Sequence, residues 1–319
     1  MSDTLTPTRG RTPLARAREV LVPTGTTERA LLVVAAVFAA VGMLHVIPFI
    51  ADGGIWEGAV SWRKPIVFGL SIGIATWWVA WVLGNLSWRP RTKAAWAIGY
   101  STAMVVEYTL ITAQRWRGVA SHFNNTTTFD AMVFAVMGIS IGIVSLLIAM
   151  LLGAAVRRPP ADPDTRWAVV GGLALMLVGS ALGGLLVQMG NAQSIDGVAP
   201  EIVRAGAAGA PKYAHAVALH VPQLLVGLLA LVKATGLAPA VRRTTLRYGV
   251  ITGAALVAAT SAHTLAGRAL LDVVNPTGVL LLAAAASCAW PFASAMMAAW
   301  RRDNGPNRRG TTHEQLLET

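Results

Sequence analysis

Residues 107–130 read EYTLITAQRWRGVASHFNNTTTFD, a polar stretch in a chain that is otherwise mostly apolar. Glu107 and Gln114 are seven residues apart, which places them on nearly the same face of a helix. The asparagines and threonines at 124–128 favour turns and helix caps over a helix interior. Asp130 or a neighbouring threonine then caps the next apolar run. The stretch therefore predicts a helix end, a short loop and a helix start, with Glu107 about two turns inside the apolar segment.

The composition of the chain is that of a membrane protein. Hydrophobic residues make up 55% of the 319 residues, charged residues make up only 13%, and the mean hydropathy is +0.57. Soluble domains carry about twice that share of charge. Several apolar runs of about twenty residues match the hydrocarbon core of a bilayer, which is about 30 Å thick. We therefore expect an all-α, polytopic membrane helix bundle whose surroundings are the lipid bilayer.

Eight apolar stretches are long enough to be membrane spans. They cover residues 30–50, 65–86, 94–114, 131–153, 168–189, 213–233, 248–268 and 277–300. The predicted organisation is a disordered, basic cytoplasmic tail over residues 1–28, a transmembrane domain of about eight helices over residues 29–300, and a cytoplasmic tail over residues 301–319. Within the first tail, residues 14–22 have the pattern of a short interfacial helix.

The basic residues orient the predicted spans. With the amino terminus inside, 19 of the 26 Lys and Arg residues fall in cytoplasmic loops and tails, and 7 fall outside. The positive-inside rule then predicts that both termini are cytoplasmic. The same distribution accounts for the formal net charge of +11 without a nucleic-acid partner. The sequence predicts no oligomeric state.

Cysteine and histidine spacings argue against a metal site. Cys288 is the only cysteine, which excludes an intrachain disulfide and cysteine-based metal motifs. The histidines form neither an i,i+4 pair nor an HExxH arrangement. We therefore predict no metal centre.

Five of the six histidines map to the outer half of the predicted bundle. They are His45, His122, His215, His220 and His263. Ionisable residues within a membrane are costly and usually functional, so these histidines and Glu107 predict a polar pocket beneath the outer surface. His215 and His220 differ by about 140° around their helix, so they cannot both face one small pocket, whereas His220 and Gln223 can.

Acid–base chemistry on a lipophilic substrate, such as an isoprenoid, a quinone or a lipid, is the leading interpretation of this pocket. Desolvation favours the protonated carboxyl of Glu107, which can then donate a proton with histidines as relays. Such an enzyme would be a membrane-embedded cyclase, isomerase or transferase. The predicted catalytic residues are Glu107, His122, His220 and Asp130. The predicted substrate-binding residues are Lys64, Gln114, Arg117, Asn124 and Gln223.

Two alternative interpretations assign a different function to the polar residues at this depth of the bundle. A b-type haem needs two histidines that face each other from different spans, and His45, His220 and His263 are the candidates for this cofactor. A proton-coupled transporter would use the polar groups at alternating gates, although such sites usually lie near the bilayer midplane.

Three segments resemble a family of bacterial multi-pass membrane proteins. They are WRKPIVFGLS from Trp62, QRWRGVASHFN from Gln114 and HAVALHVPQLL from His215. The resemblance covers most of residues 30–270 and implies a multi-pass protein of the bacterial cytoplasmic (inner) membrane, but it implies no reaction. The residues of this chain that match the motifs of the family are Lys64, Pro65, Phe68, Ser71, Glu107, Gln114, Arg117, Gly118, Ser121, His122, Phe123, Asn124, Asp130, His215, His220 and Gln223. His263 lies outside that pattern.

Overall fold

The described residues form an all-helical protein in a computed structural model, which confirms the all-α part of the predicted fold class. The structure describes residues 12–54 and 56–304, so residues 1–11 and 305–319 of the two predicted tails lie outside the described residues. The described helices are α1 (Pro13–Leu21), α2 (Thr26–Leu44), α3 (Val46–Asp52), α4 (Arg63–Gly84), α5 (Pro90–Trp116), α6 (Thr128–Arg157), α7 (Pro163–Ala192), α8 (Lys212–Ala234), α9 (Pro239–Leu265) and α10 (Pro276–Asn304).

Six helical stretches are long and apolar enough to cross a membrane, as expected of an integral membrane protein. They are Thr26–Asp52, Arg63–Gly84, Thr128–Arg157, Pro163–Ala192, Lys212–Ala234 and Pro276–Arg301. The predicted number of eight spans exceeds these six by α5 and α9, whose mean hydropathy is the lowest among the long helices. The reason lies in their sequences, because α5 contains Glu107 and Gln114, and three arginines stand in the first third of α9.

The structure divides the predicted first span, residues 30–50, at His45. Pro48 lacks the N–H that would bond to the carbonyl of Leu44, and its ring would clash with that carbonyl. Helix α2 therefore ends at Leu44 and α3 begins at Val46. The break leaves the His45 side chain at the junction, where only 7% of the residue is exposed.

Helices α2 and α4 pack closely through small residues. A Cβ atom built on Gly69 would lie 2.6 Å from the Cα atom of Gly42, so neither position tolerates a larger side chain without separating the helices. Small residues at helix–helix contacts are typical of membrane proteins because they let the backbones approach. Helix α4 is the most deeply buried of the six candidate spans. Around it, α5 packs on α4 and α6, and α7 to α10 pack in succession.

The amino-terminal helix α1 lies against α8 at one end of the bundle. Two indoles of α4 hold it there, because Trp81 Nε1 donates to the carbonyl of Val20 at 2.7 Å and Trp77 Nε1 donates to that of Leu21 at 3.2 Å. Residues 13–21 of the predicted tail are therefore helical and attached to the bundle.

Four loops pack together at the opposite end of the bundle. We call residues 56–62, 117–127, 193–211 and 266–275 the loop layer. Ala59 N donates to Glu201 Oε2 at 2.9 Å, Asn125 N donates to the carbonyl of Gly197 at 2.8 Å, and Ala208 N donates to that of Gly267 at 3.0 Å. Because these loops alternate along the chain with those at the α1 end, the long helices run alternately up and down.

Candidate functional site

The carboxyl group of Glu107 lies inside the bundle, about two turns before α5 ends at Trp116. Glu107 is 2% exposed, and its Oε1 lies 3.9 Å from Nε2 of His122. Its Oε2 is buried and has no hydrogen-bond partner among the described residues. A buried polar atom without a partner costs free energy. The arrangement therefore has to be explained by function or by a bound molecule.

His122 stands in the loop layer directly above this carboxyl. Its Nδ1 lies 2.9 Å from Ser121 Oγ, and the Phe68 ring packs on the imidazole with 5.6 Å between the centroids. Although 20% of the side chain stays exposed, burial lowers the pKa of His122 to about 3, and the positive charges of Lys64 and His215 add to this effect. The imidazole is therefore neutral at pH 7, with one ring nitrogen that donates a hydrogen bond and one that accepts.

A sharp turn at Phe123 holds His122 in place. Phe123 has a φ of 62°, a left-handed conformation that is an outlier for a bulky residue. Its ring packs on Phe134 at 5.4 Å and against Gly190 of α7, where a Cβ atom would approach the ring to 2.4 Å. Such strain persists only where the surrounding structure enforces it. The resemblance marks Phe123, but no sequence signal pointed to Gly190.

The Asp130 carboxylate accepts hydrogen bonds from side chains at the end of α5. We call Asp130, Gln114, Arg117 and Thr127 the Asp130 network. Gln114 Nε2 donates to Asp130 Oδ1 at 2.9 Å, and Arg117 Nη1 donates to the same oxygen at 2.7 Å and also to Gln114 Oε1. Thr127 Oγ1 donates to Asp130 Oδ2 at 2.7 Å and accepts from the Asp130 backbone N–H at 3.1 Å. Thr127 is therefore the cap of α6, and Gln114, Arg117 and Asp130 join α5 to α6.

The side chain of Asn124 folds the same loop. Its Oδ1 accepts from Thr126 N at 3.2 Å and from Thr126 Oγ1 at 2.7 Å, and its Nδ2 donates to the carbonyl of Ala120 at 3.2 Å. The amide is 4% exposed. All of these contacts are made within the loop 117–127. In this structure, the Asn124 side chain therefore stabilises the conformation of the loop.

The two histidines of α8 face different surroundings. His215 lies within electrostatic range of His122, and its Nδ1 lies 2.8 Å from the carbonyl of Gly179. His220 lies beside the Gln223 amide, without a hydrogen bond of normal geometry, because both polar atoms of that amide are buried and unpartnered. Among the described residues, no hydrogen bond, ion pair or ring contact joins His220 to Glu107 or His122. The structure thus places His215 nearer to His122.

Two of the three histidines considered for haem, His45 and His263, do not fit that cofactor, which leaves His220 without a second axial ligand among the three. His45 Nε2 accepts from the indole N–H of Trp116 at 3.2 Å, so its Nδ1 carries the proton and donates to the carbonyl of Val41 at 2.7 Å. His263 Nδ1 lies 3.0 Å from Thr277 Oγ1 and its Nε2 lies 2.8 Å from the carbonyl of Ala269. Both rings therefore lack a free nitrogen. In the part of the chain that the structure describes, no group of three His, Cys, Asp or Glu residues is placed to hold a metal ion.

The chain matches no family model, no curated protein and no solved structure in the three comparisons made. The interpretation of the site therefore rests on its own geometry. That geometry brings Glu107, His122 and Ser121 together, with Lys64 and His215 nearby.

Haem binding can be tested by a visible spectrum of the protein purified after expression with haem supplied. Because the nitrogens of His45 and His263 are hydrogen-bonded, we expect no Soret band. A Soret band that disappears in the His220→Ala variant would contradict this expectation.

The Asp130 network can be tested by Asp130→Asn. The substitution removes a buried charge that accepts from three side chains, so we expect it to lower the free energy of unfolding by about 2 kcal/mol and to lower the Tm in detergent. Asp272→Asn is the matched control, because its pair with Arg268 at 3.3 Å is exposed and contributes about 0.5 kcal/mol or less. Equal Tm values for the two variants would show that the network does not stabilise the fold.

Proposed function

We propose that this chain is an integral membrane enzyme that performs acid–base chemistry on a lipophilic substrate, such as an isoprenoid, a quinone or a lipid of the bacterial cytoplasmic membrane. Glu107 is the acid or base in contact with the substrate, and His122 is its relay. The observation that carries the proposal is the buried Glu107 carboxyl, with one oxygen 3.9 Å from an imidazole and the other without a partner.

A comparison among the buried carboxyl groups supports this role for Glu107. Three other carboxyl residues are buried among the described residues, and each is paired with a cation. Glu28 pairs with Lys93 at 2.8 Å, Asp130 with Arg117 at 2.7 Å and Asp164 with Arg242 at 2.7 Å. Glu107 has no cation at ion-pair distance among the described residues, and its neighbour at 3.9 Å is the neutral imidazole of His122. A carboxyl without a cation is the type of group that gives and takes protons.

The two oxygens of Glu107 have separate roles in the proposed mechanism. The unpartnered Oε2 gives a proton to the substrate, or takes one from it, inside the bundle. Oε1 faces His122 Nε2, and a distance of 3.9 Å closes to a hydrogen bond through one water or a small side-chain movement. After Glu107 has given up its proton, Nε2–H of the neutral imidazole returns one to the carboxylate while Nδ1 takes one from the Ser121 hydroxyl, which regains it from water; after Glu107 has taken a proton, the same transfers run in reverse.

We assign more limited roles to the other residues that were predicted to bind substrate. Lys64 lies in the first turn of α4, within electrostatic range of His122, so it suits a substrate carrying a polar or anionic group. Gln223 offers two unpartnered amide atoms. Gln114 and Arg117 position the loop, because the Asp130 network already uses their polar atoms.

The loop layer packs over part of this site and leaves 20% of the His122 side chain exposed. Ser194 Oγ donates to the carbonyl of Phe123 at 3.3 Å, and Asn125 N donates to that of Gly197 at 2.8 Å. The connection between α7 and α8 thus covers the turn that carries His122. Excluding water strengthens electrostatic interactions and protects reactive intermediates, as acid–base chemistry on an apolar substrate requires.

Glu107→Gln tests the proposed function. The amide keeps the shape of the side chain but cannot exchange the proton, so turnover should fall by about 100-fold or more. Extracts of cells expressing each variant are compared by mass spectrometry for isoprenoids, quinones and lipids. Glu57→Gln, which changes a half-exposed carboxyl of the loop layer, is the control and should behave as the wild type. If folded Glu107→Gln protein gives the wild-type extract, the proposed role of Glu107 is wrong.

We further propose that all eight long helical stretches cross the membrane, with both termini cytoplasmic. Helices α5 and α9 each contain 27 residues, or about 40 Å, which is enough for a span. Their polar residues are tolerated where they face the interior, as Glu107 and Gln114 do with 2% and 1% exposure. The excess of basic residues at the α1 end supports the orientation.

Cysteine labelling tests this topology. In a Cys288→Ser background, Ala207→Cys lies in an exposed position of the loop layer, and Ala161→Cys lies in an exposed loop at the other end. A membrane-impermeant maleimide should label the first in intact spheroplasts and the second only after permeabilisation. The reverse pattern would invert the orientation, and labelling of both in intact spheroplasts would contradict a membrane crossing by α7, the one long helix between the two positions.

A further inference from the structure

A cavity of about 790 Å³ opens at the α1 end of the bundle. It is bounded by α1, by the first turns of α2 and α5 and by the last turns of α4 and α8. Lys93 of α5 lines it, fourteen residues before Glu107, which corresponds to about 21 Å along the helix. The cavity is therefore separate from the candidate site, and an inference from it stands independently of the proposed function.

Three cations line this cavity with hydrogen-bond donors to spare. The guanidinium of Arg16 makes no hydrogen bond or ion pair among the described residues, and its Nε is buried. Lys93 Nζ donates to Glu28 Oε1 at 2.8 Å, and Lys233 Nζ donates to Asp162 and Thr165 at 2.5 and 3.2 Å. An ammonium group has three donors, so both lysines keep at least one.

The two acidic residues that line the cavity, Glu19 and Glu28, do not occupy these remaining donors. Lys93 neutralises Glu28, which is the acidic residue in the first turn of α2. Glu19 stands on an exposed position of α1 and already has a partner of its own. Arg16 is thus a cation that faces the cavity without a counter-charge in the described part of the chain. Leaving a partly buried guanidinium without acceptors is costly unless an anion supplies them.

The remaining walls suit an amphiphilic anion. Trp81 and Trp88 contribute indole surface to the cavity. One turn beyond Glu28, an apolar groove of about 280 Å³ begins between α2 and α4 and is lined by Leu32, Ala36 and Trp77, among others. Tryptophan beside cations is typical of the interface between headgroups and acyl chains.

We propose that this cavity binds a phosphate-bearing anion, with the phosphate oxygens on Arg16 and on the unused donors of Lys93 and Lys233. Guanidinium groups bind phosphate through two parallel hydrogen bonds, and ammonium groups add point charges. The phosphate belongs to a lipid headgroup of the adjoining leaflet or to a soluble phosphate compound. The adjacent groove gives an acyl chain of such a lipid a place to lie.

Isothermal titration calorimetry of the full-length protein in a neutral detergent tests this site. The probes are dihexanoyl-phosphatidylglycerol, dihexanoyl-phosphatidylcholine and inorganic phosphate. Arg16→Gln removes the proposed phosphate ligand without breaking a bond in the described structure. Arg18→Gln is the matched control, because it removes the same charge from an exposed position of the same helix that does not line the cavity.

Arg16→Gln should raise the Kd of the bound probe about tenfold or more, the effect of one lost charge-assisted hydrogen bond, while Arg18→Gln keeps the wild-type Kd. Tight binding of phosphatidylglycerol with weak binding of inorganic phosphate assigns the site to a lipid headgroup, and equal binding of the two assigns it to a soluble phosphate compound. The proposal is overturned if none of the probes binds, or if Arg16→Gln and Arg18→Gln bind with the same Kd.

Discussion

Asp130 is the residue on which the arrangement of the loop layer depends. Its carboxylate accepts from Gln114 and Arg117 of the α5 end and from Thr127 at the α6 start. A buried carboxylate without these donors would be strongly unfavourable, so the two helices must approach each other wherever Asp130 is satisfied. Because both ends of the intervening loop are fixed in this way, the eleven residues from 117 to 127 have to turn sharply between them. The left-handed backbone at Phe123, with a φ of 62°, is one consequence.

The position of His122 follows from the same constraint. The turn at Phe123 presses its ring against Gly190 and Phe134, and this contact leaves the preceding residue pointing into the bundle. Its imidazole meets the Phe68 ring on α4 and Glu107 on α5. The hydrogen bonds of the Asp130 network thus help to hold the loop in its strained conformation at Phe123. The candidate acid and its neutral neighbour are thus held together by hydrogen bonds and packing in the surrounding loop, as a precise site on a loop requires.

The sequence predicted the helical class, the positions of the long helices, and the helix end, loop and helix start within residues 107–130, because hydropathy and helix caps are local properties. It could not separate the roles of neighbouring polar residues. Gln114 shares a helix face with Glu107, yet it turns to Asp130, since a fixed carboxylate sixteen residues later offers the better partner. Likewise, helical spacing excludes a joint role for the two α8 histidines but does not choose between them. That choice depends on how α7 and α8 pack, and the carbonyl of Gly179 engages His215, a contact that no local pattern encodes.

The two ends of the bundle treat unpaired charge in opposite ways, and the difference follows from their surroundings. Near the loop layer, the Glu107 carboxyl is 2% exposed and lies 3.9 Å from the His122 imidazole, with no cation at ion-pair distance among the described residues. At the α1 end, Arg16 lies at an open cavity, where a guanidinium stays charged under all conditions and must find an anion. An acid that can lose its charge is suited to proton transfer, whereas a base that cannot is suited to binding. The buried position of Glu107 thus supports the proposed proton transfer, and the open position of Arg16 supports the proposed anion site.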